Sequence, residues 1–329
     1  MVLSADMATS WDQPIKDELR RVEEEIVRSV ESRQPLLTEI ALHVVKSGGK
    51  RMRPGVSLLA FRSVGGTDVD KIIKLATAFE LIHSATLVHD DINDGAETRR
   101  GAIAAYRKYG TQRALIAGDF LFVKGFRLGG LLEAEEIVEI VAEACAQMAE
   151  SEILQAEVEH ITTTPLDTYL RIIEGKTARP IEASARVGVY IGGGSGDQMD
   201  GMGTFGLNIG YAFQIVDDML DITGREADLG KRRGMDLIDG KPNLPLMIAM
   251  QSHYEGSERI KEVFKKPAKT KDEVEEVLQL IHDTDALELS RRHAQEFVDK
   301  ALEGLESIPE SRYKDALRAL AGTVLERKS

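Results

Sequence analysis

Apolar side chains recur at intervals of three and four through most of this chain, and strict apolar–polar alternation is nearly absent. The periodicity predicts helices over 12–31, 35–47, 54–63, 68–94, 112–130, 133–160, 166–174, 177–191, 197–222, 243–254, 271–284, 286–305 and 310–326, and hence an all-α protein. The breaks are short. Gly192-Gly193-Gly194-Ser195-Gly196 is the longest glycine run and reads as a helix–helix loop, because a phosphate-binding fingerprint needs a preceding strand. No linker or shift in composition marks a boundary, so residues 1–329 read as one bundle-like domain behind a flexible tail over residues 1–11.

Two of the predicted helices end on the same pattern. Asp90-Asp91-Ile92-Asn93-Asp94 and Asp217-Asp218-Met219-Leu220-Asp221 share one spacing, and Gly95 and Gly224 read as the helix stops behind them. The first and last aspartates of each cluster fall on one helix face, with Cβ atoms about 6 Å apart. Helix C-termini disfavour anions by roughly 0.3–1 kcal/mol each. Like charges four residues apart add roughly 0.2–0.5 kcal/mol. A pattern this unfavourable, placed twice, calls for a cation, and all-oxygen ligands point to Mg2+ completed by water and substrate phosphate. Asp91 and Asp218 point about 100° away from their neighbours and read as support for the ligands. The two aspartate helices are then expected to face each other across the bundle.

Charge narrows the options. The 329 residues carry a net charge of −13, which argues against a nucleic-acid partner, where a basic footprint is expected. Cys145, among apolar helical neighbours, reads as a buried spectator thiol. Apolar stretches are interrupted well before 18 residues, and Met1 to Pro14 lacks a basic start and an apolar run, so no stable membrane insertion and a cytoplasmic location are expected. In an acidic chain the informative charges are the positive clusters. Gly48-Gly49-Lys50-Arg51-Met52-Arg53-Pro54 packs three cations on a turn, Arg99-Arg100 follows the first aspartate cluster, and Lys176-Thr177 opens a helical stretch. Lys231, Arg232, Arg233 and Lys241 follow the second cluster. Carboxylates flanked by such cations fit a polyphosphate ligand bridged by metal.

These residues resemble the trans-isoprenyl diphosphate synthases, or polyprenyl synthetase family, and most of all its members making geranylgeranyl or longer products. The likeness rests on His83-Ser84-Ala85-Thr86-Leu87-Val88-His89-Asp90-Asp91-Ile92-Asn93-Asp94 with Arg99-Arg100-Gly101, and on Phe213-Gln214-Ile215-Val216-Asp217-Asp218-Met219-Leu220-Asp221. The turn at Lys50, Gly118-Asp119, Lys176-Thr177 and Leu229-Gly230-Lys231 through Gly240-Lys241 follow in family order, over roughly residues 45–250. One departure is visible. Many members have threonine where this chain has Asn243, in Pro242-Asn243-Leu244-Pro245, and asparagine is able to cap the helix that follows.

The resemblance implies an isoprenoid-synthase bundle with a central cavity and a homodimer. It implies Mg2+-dependent condensation of isopentenyl diphosphate with an allylic diphosphate (dimethylallyl, geranyl or farnesyl), releasing pyrophosphate. Asp90, Asp94, Asp217 and Asp221 would hold Mg2+. Arg99, Lys176, Lys231 and Lys241, with Thr177 and Gln214, would grip the allylic diphosphate. Lys50, Arg53, His83 and Arg100 would bind isopentenyl diphosphate, while His89 reads as structural. No protein nucleophile is needed, and pyrophosphate is the implied proton acceptor. The growing chain would run down the first aspartate helix, where Ala85 and Thr86 are small and no aromatic floor blocks the way. Ile82, Phe79 and residues near Leu115 and Phe120 would be later floors, and Ala85→Phe should shorten the product. The rival readings are a class I terpene cyclase, a His-Asp-type metal phosphohydrolase and a non-catalytic helical subunit. The first needs no second diphosphate site, the second needs more histidine ligands, and the third predicts no Mg2+-dependent diphosphate binding.

Overall fold

Some helix starts sit where the sequence supplies caps. In the computed structural model, which describes residues 10–131, 134–224, 232–251 and 253–327, the Asp68 carboxylate accepts the Lys71 amide at the head of the long helix α4 (Val69–Asn93). Ser195 and Gln198 close a reciprocal capping box at the head of α10 (Gly196–Thr223). The glycine run is therefore the expected loop, with Gly193 in the left-handed conformation (φ 74°) ending α9 (Arg179–Gly192).

The remaining order is α1 (Lys16–Ser29), α2 (Pro35–Val45) and α3 (Met52–Ser63) before α4, then α5 (Ala105–Tyr109), α6 (Thr111–Gly130), α7 (Glu135–Glu157) and α8 (Leu166–Ile173). After α10 come α11 (Met235–Asp239), α12 (Leu244–Gln251), α13 (Ser257–Phe264), α14 (Lys271–His282), α15 (Ala286–Gly304) and α16 (Arg312–Glu326). Four features departed from periodicity because they are short or set by tertiary contacts. These are α5, α11, α13 and a two-residue hairpin pairing Thr98–Arg99 with Ala102–Ile103. A single π-helical turn, Glu174–Ala178, precedes α9 and carries Lys176 and Thr177.

The principal core joins α1, α2, α3, α4, α6, α7, α9, α10, α15 and α16. Gly188 lets α3 and α9 touch: a Cβ there would land on the Ser57 carbonyl. A second core gathers Ile222, Leu237, Phe264, Val277 and Ile281 from α10 to α14, and a third, around Tyr169, Ile215 and Met247, joins α8, α10 and α12. These contacts hold the ends of α4 and α10 at one large cavity, the central cavity expected. The tail expected over residues 1–11 lies outside the described residues except for Ser10 and Trp11, and the Trp11 ring packs against Gly55 of α3. Among the described residues no helix is long and apolar enough to cross a membrane.

Candidate active site

The cavity has a volume of about 1000 Å³. Its charged mouth is lined by Asp90 and Asp94 at the end of α4 and by Asp217 and Asp218 in the C-terminal part of α10. Lys241 Nζ lies 2.6 Å from Asp94 Oδ1 and 3.3 Å from Asp239 Oδ2. Arg327, at the end of α16, donates to Asp217 Oδ1 at 3.0 Å. Burial pushes the Asp90 carboxyl up to about 6, against the charge of Lys176, with Glu152 and Asp94 adding repulsion. Burial also works against the Lys241 ammonium, but Asp94, Asp239 and Asp236 outweigh it and raise its pKa. Protein cations thus occupy carboxylates from both clusters, and the exposed oxygen donors suit a hard divalent ion that takes one or two carboxylates and fills its shell otherwise. Among the described residues no group of three or more His, Cys, Asp or Glu side chains is preformed as a metal cage.

Asp91 and Asp218 are held by neighbouring protein groups. Asp91 accepts from Arg99 Nε at 2.7 Å. Asp218 accepts from Tyr169 OH at 2.7 Å and Gln214 Nε2 at 2.9 Å, while Thr177 Oγ1 donates to Gln214 Oε1 at 2.8 Å. Burial, with the nearby Asp236 carboxylate, holds the Asp218 pKa well above the usual range. Lys176 reaches Glu152 at 2.7 Å and Gln155 at 3.1 Å from the π-helical turn. Asn243 does cap: its Oδ1 accepts the Leu246 amide at 3.0 Å, and its Nδ2 donates to Asp236.

The second basic group, the cations Lys50, Arg53 and Arg100 together with His83, lines the same cavity. Arg100 donates to the Gly48 carbonyl, and a side chain at Gly49 (φ 149°) would collide with its guanidinium. Burial and the neighbouring charges of Arg327 and Arg100 lower Lys50 to about 8, with Asp217 opposing. Burial and the arginines around it, Arg53 first, hold His83 well below its usual range, so its imidazole is neutral. Arg53 Nε is buried without a hydrogen-bond partner.

Below the charged mouth the walls turn apolar. Thr86, Phe122, Cys145 and Met148 line the cavity, and a small adjoining void is bounded by Phe79, Ile82, Val141 and Ala144. A further void lies between Ala78, Phe126, Gly129, Gly130 and Val138. Cys145 is half-buried, and burial raises its thiol to about 11, in keeping with an inert wall residue.

Several sequence expectations land elsewhere. Asp221 is not among the cavity-lining residues; its carboxylate accepts the Met235 and Asp236 amides and so caps α11. Ala85 is fully buried in the principal core, and it is Thr86 that faces the cavity. Ile82 lines the deeper voids, whereas Leu115 is 46% exposed on α6. Lys231 lies outside the described residues. The sequence reading placed Asp119 only within a family motif, without a role, and missed Glu80, Glu152, Asp236 and Arg327; all five line the cavity. Glu152, three residues before Gln155 on α7, joins the site only through its tertiary contact with Lys176, and Arg327 had no local signal either. Its side chain is 9% exposed, stacks 4.1 Å over Phe213 and leaves Nε and Nη1 without partners. His89 sits 3.6 Å from Asp119.

Comparison with known proteins agrees with this fold. The family profile described as polyprenyl synthetase matches residues 34–281. Octaprenyl diphosphate synthase of Haemophilus influenzae is 34% identical over 311 residues, spanning 94% of each chain. All-trans-nonaprenyl-diphosphate synthase (geranyl-diphosphate specific) of Rhodobacter capsulatus is 36% identical, over 95% of this chain and 96% of that one. Among solved structures, polyprenyl synthase from Caulobacter crescentus, complexed with calcium and isoprenyl diphosphate, superimposes with a TM-score of 0.94 at 32% identity over 100% of both chains.

Proposed function

We infer, because this chain belongs to the polyprenyl synthetase family, that it is a prenyltransferase joining isopentenyl diphosphate to an allylic diphosphate with release of pyrophosphate. The observation that carries the reading is the meeting, in one cavity, of carboxylates from two helix ends with two separate groups of cations. A terpene cyclase has no use for the second group.

Asp90, Asp94 and Asp217 would hold Mg2+, with Lys241 and Arg327 surrendering their present carboxylates. Bound there, the metal would supply Lewis acidity toward the departing diphosphate. Lys176, Lys241 and Arg99 add fixed positive charge on the same side, stabilising negative charge as the allylic C–O bond breaks. Lys231 is proposed for this group on its sequence position alone. Gln214 and Thr177 orient one another beside that diphosphate. Lys50, Arg53 and Arg100 hold the second diphosphate, His83 donates to it as a neutral imidazole, and the unmet Arg327 nitrogens add a further donor. The double bond of isopentenyl diphosphate then attacks the allylic carbon, and the proton lost passes to pyrophosphate. Apolar walls at Leu87, Phe122, Met148 and Ile173 keep water from the cation.

The voids continuing past Ile82 to Gly129 and Gly130 support a product longer than geranylgeranyl diphosphate. Exposed Leu115, Ile116, Val123 and Ile153 on α6 and α7 support pairing with a second copy of the chain. The test is incubation with Mg2+, isopentenyl diphosphate and each of dimethylallyl, geranyl and farnesyl diphosphate, followed by sizing of the products. Elongation beyond twenty carbons is expected; no elongation from any primer refutes the assignment.

A further inference from the structure

The second-diphosphate cradle contains an acid that its task does not require. Glu80, only 3% exposed, lies on α4 three residues before His83 and lines the cavity among Lys50, Arg51, Arg53 and Arg100. Its carboxylate pairs with Arg51 Nη1. Arg51 is itself committed to protein partners: it donates to both carboxylate oxygens of Glu23 on α1, and its Nη2 lies 3.1 Å from the Val45 carbonyl at the end of α2. The Arg51 backbone is left-handed (φ 47°, ψ 37°), a conformation that a non-glycine residue holds only where its surroundings fix it. Arg51 therefore anchors Glu80 rather than reaching for a ligand. Burial lowers Arg53 to about 10, and Glu80 is the acidic group that offsets part of that effect.

The chemistry of repeated elongation explains why such an acid is useful. In each round the allylic C–O bond breaks, a C–C bond forms to the isopentenyl carbon and a proton leaves with pyrophosphate. The lengthened product keeps the diphosphate that entered with isopentenyl diphosphate, and that group sits in the cradle of Lys50, Arg53 and Arg100. The next round needs it at Asp90, Asp94 and Asp217. A cradle with unopposed arginines would retain it.

We propose that Glu80, locked by Arg51, is a built-in counter-charge that loosens the cradle so that the product's diphosphate moves on to the aspartate side between condensations. This rests on the prenyltransferase reading. Glu80 is accordingly a positioning residue that acts through its neighbours' charges, and it sets how far elongation proceeds.

Glu80→Gln keeps the shape and a hydrogen bond to Arg51, whose contacts with Glu23 and Val45 remain. Calorimetric titration with isopentenyl diphosphate, without metal, should show binding about five- to tenfold tighter than in the parent protein, since one opposing charge is gone from a partly desolvated site. Product sizing with Mg2+ should show shorter chains. Glu80→Asp, which keeps the charge, should return the parent's affinity and product lengths. If Glu80→Gln fails to fold, Glu23→Gln strips Arg51 of its other carboxylate and should tighten binding in the same direction by a smaller factor. Weaker or unchanged binding by a folded Glu80→Gln protein overturns the proposal, as does tighter binding with unchanged product lengths. Failure of the parent protein to bind isopentenyl diphosphate would instead refute the function itself.

Discussion

Replacing Arg327 with methionine separates a structural clip from a substrate ligand. In the ligand-free protein Arg327 gains a half-exposed ion pair with Asp217, worth ~0.2–1 kcal/mol, and a stacked contact with Phe213, worth about 1–2 kcal/mol. Against these stand Nε and Nη1, buried without partners, each costing ~1–3 kcal/mol. The two unpartnered nitrogens cost at least as much as the two contacts gain, and methionine retains the apolar stem over the Phe213 ring. The thermal midpoint should therefore not fall by more than about 5 °C. Substrate binding should respond far more strongly. A charge-assisted hydrogen bond to diphosphate is worth about 1.5–3 kcal/mol, so the KM for isopentenyl diphosphate should rise roughly 10- to 150-fold. Freed of Arg327, Asp217 should also accept metal at lower Mg2+ concentration, readable by thermal shift without substrate. Arg327→Lys should fall between parent and methionine variant, because lysine restores the charge without the fork. An unchanged KM together with a midpoint drop well beyond 5 °C would refute the reasoning and leave Arg327 a clip.

Three further outcomes can be measured. Thr86→Phe, at the cavity wall, should shorten the product on chromatography, whereas Ala85→Phe, in the packed core, should cost about 1–3 kcal/mol in chemical denaturation. Lys50 has a folded pKa of about 8 against 10.5 unfolded, so its burial penalty applies below pH 8 and fades as pH rises toward 10.5. Over that window the ligand-free protein should gain stability from this group while its affinity for isopentenyl diphosphate falls; the two moving together would contradict the assignment. Gly188→Ala forces a methyl onto the Ser57 carbonyl and should lower the thermal midpoint by separating α3 from α9, with circular dichroism as the readout.

Local signals in the sequence carried furthest. The four-residue aspartate spacing, the capping residues and the basic turn at Lys50 each act within one helix turn or loop, and these were legible before any tertiary contact was known. Asp221 repeats the spacing of Asp94, yet α11 returns beside it and offers two backbone amides, so its carboxylate becomes a cap. Nothing within ten residues of Asp221 announces that return. Arg327 reaches Asp217 across 110 positions, and only the packing of α16 on α3 and α10 brings it there. Ala85 and Thr86 are both small, but one residue turns the side chain by about 100°, which separates a core position from a cavity wall. The helix Ser257–Phe264 escaped because eight residues give too few periods to distinguish from a loop.

Helix α4 brings Asp90, Thr86, Ile82 and Ala78 to the cavity or to the voids beneath it at intervals of four residues. Four residues of helix climb about 6 Å. An isoprene unit adds four bonds to an extended chain, on the order of 5 Å from bond lengths near 1.5 Å. The scaffold and its product are therefore graduated in nearly equal steps. On the proposed function, a bulkier side chain on one rung should remove a whole unit from the product and leave the carboxylates at the top of the ladder untouched. Variants of this chain that differ at Thr86, Ile82 or Ala78 should then differ in product length while the chemistry at Asp90 stays the same.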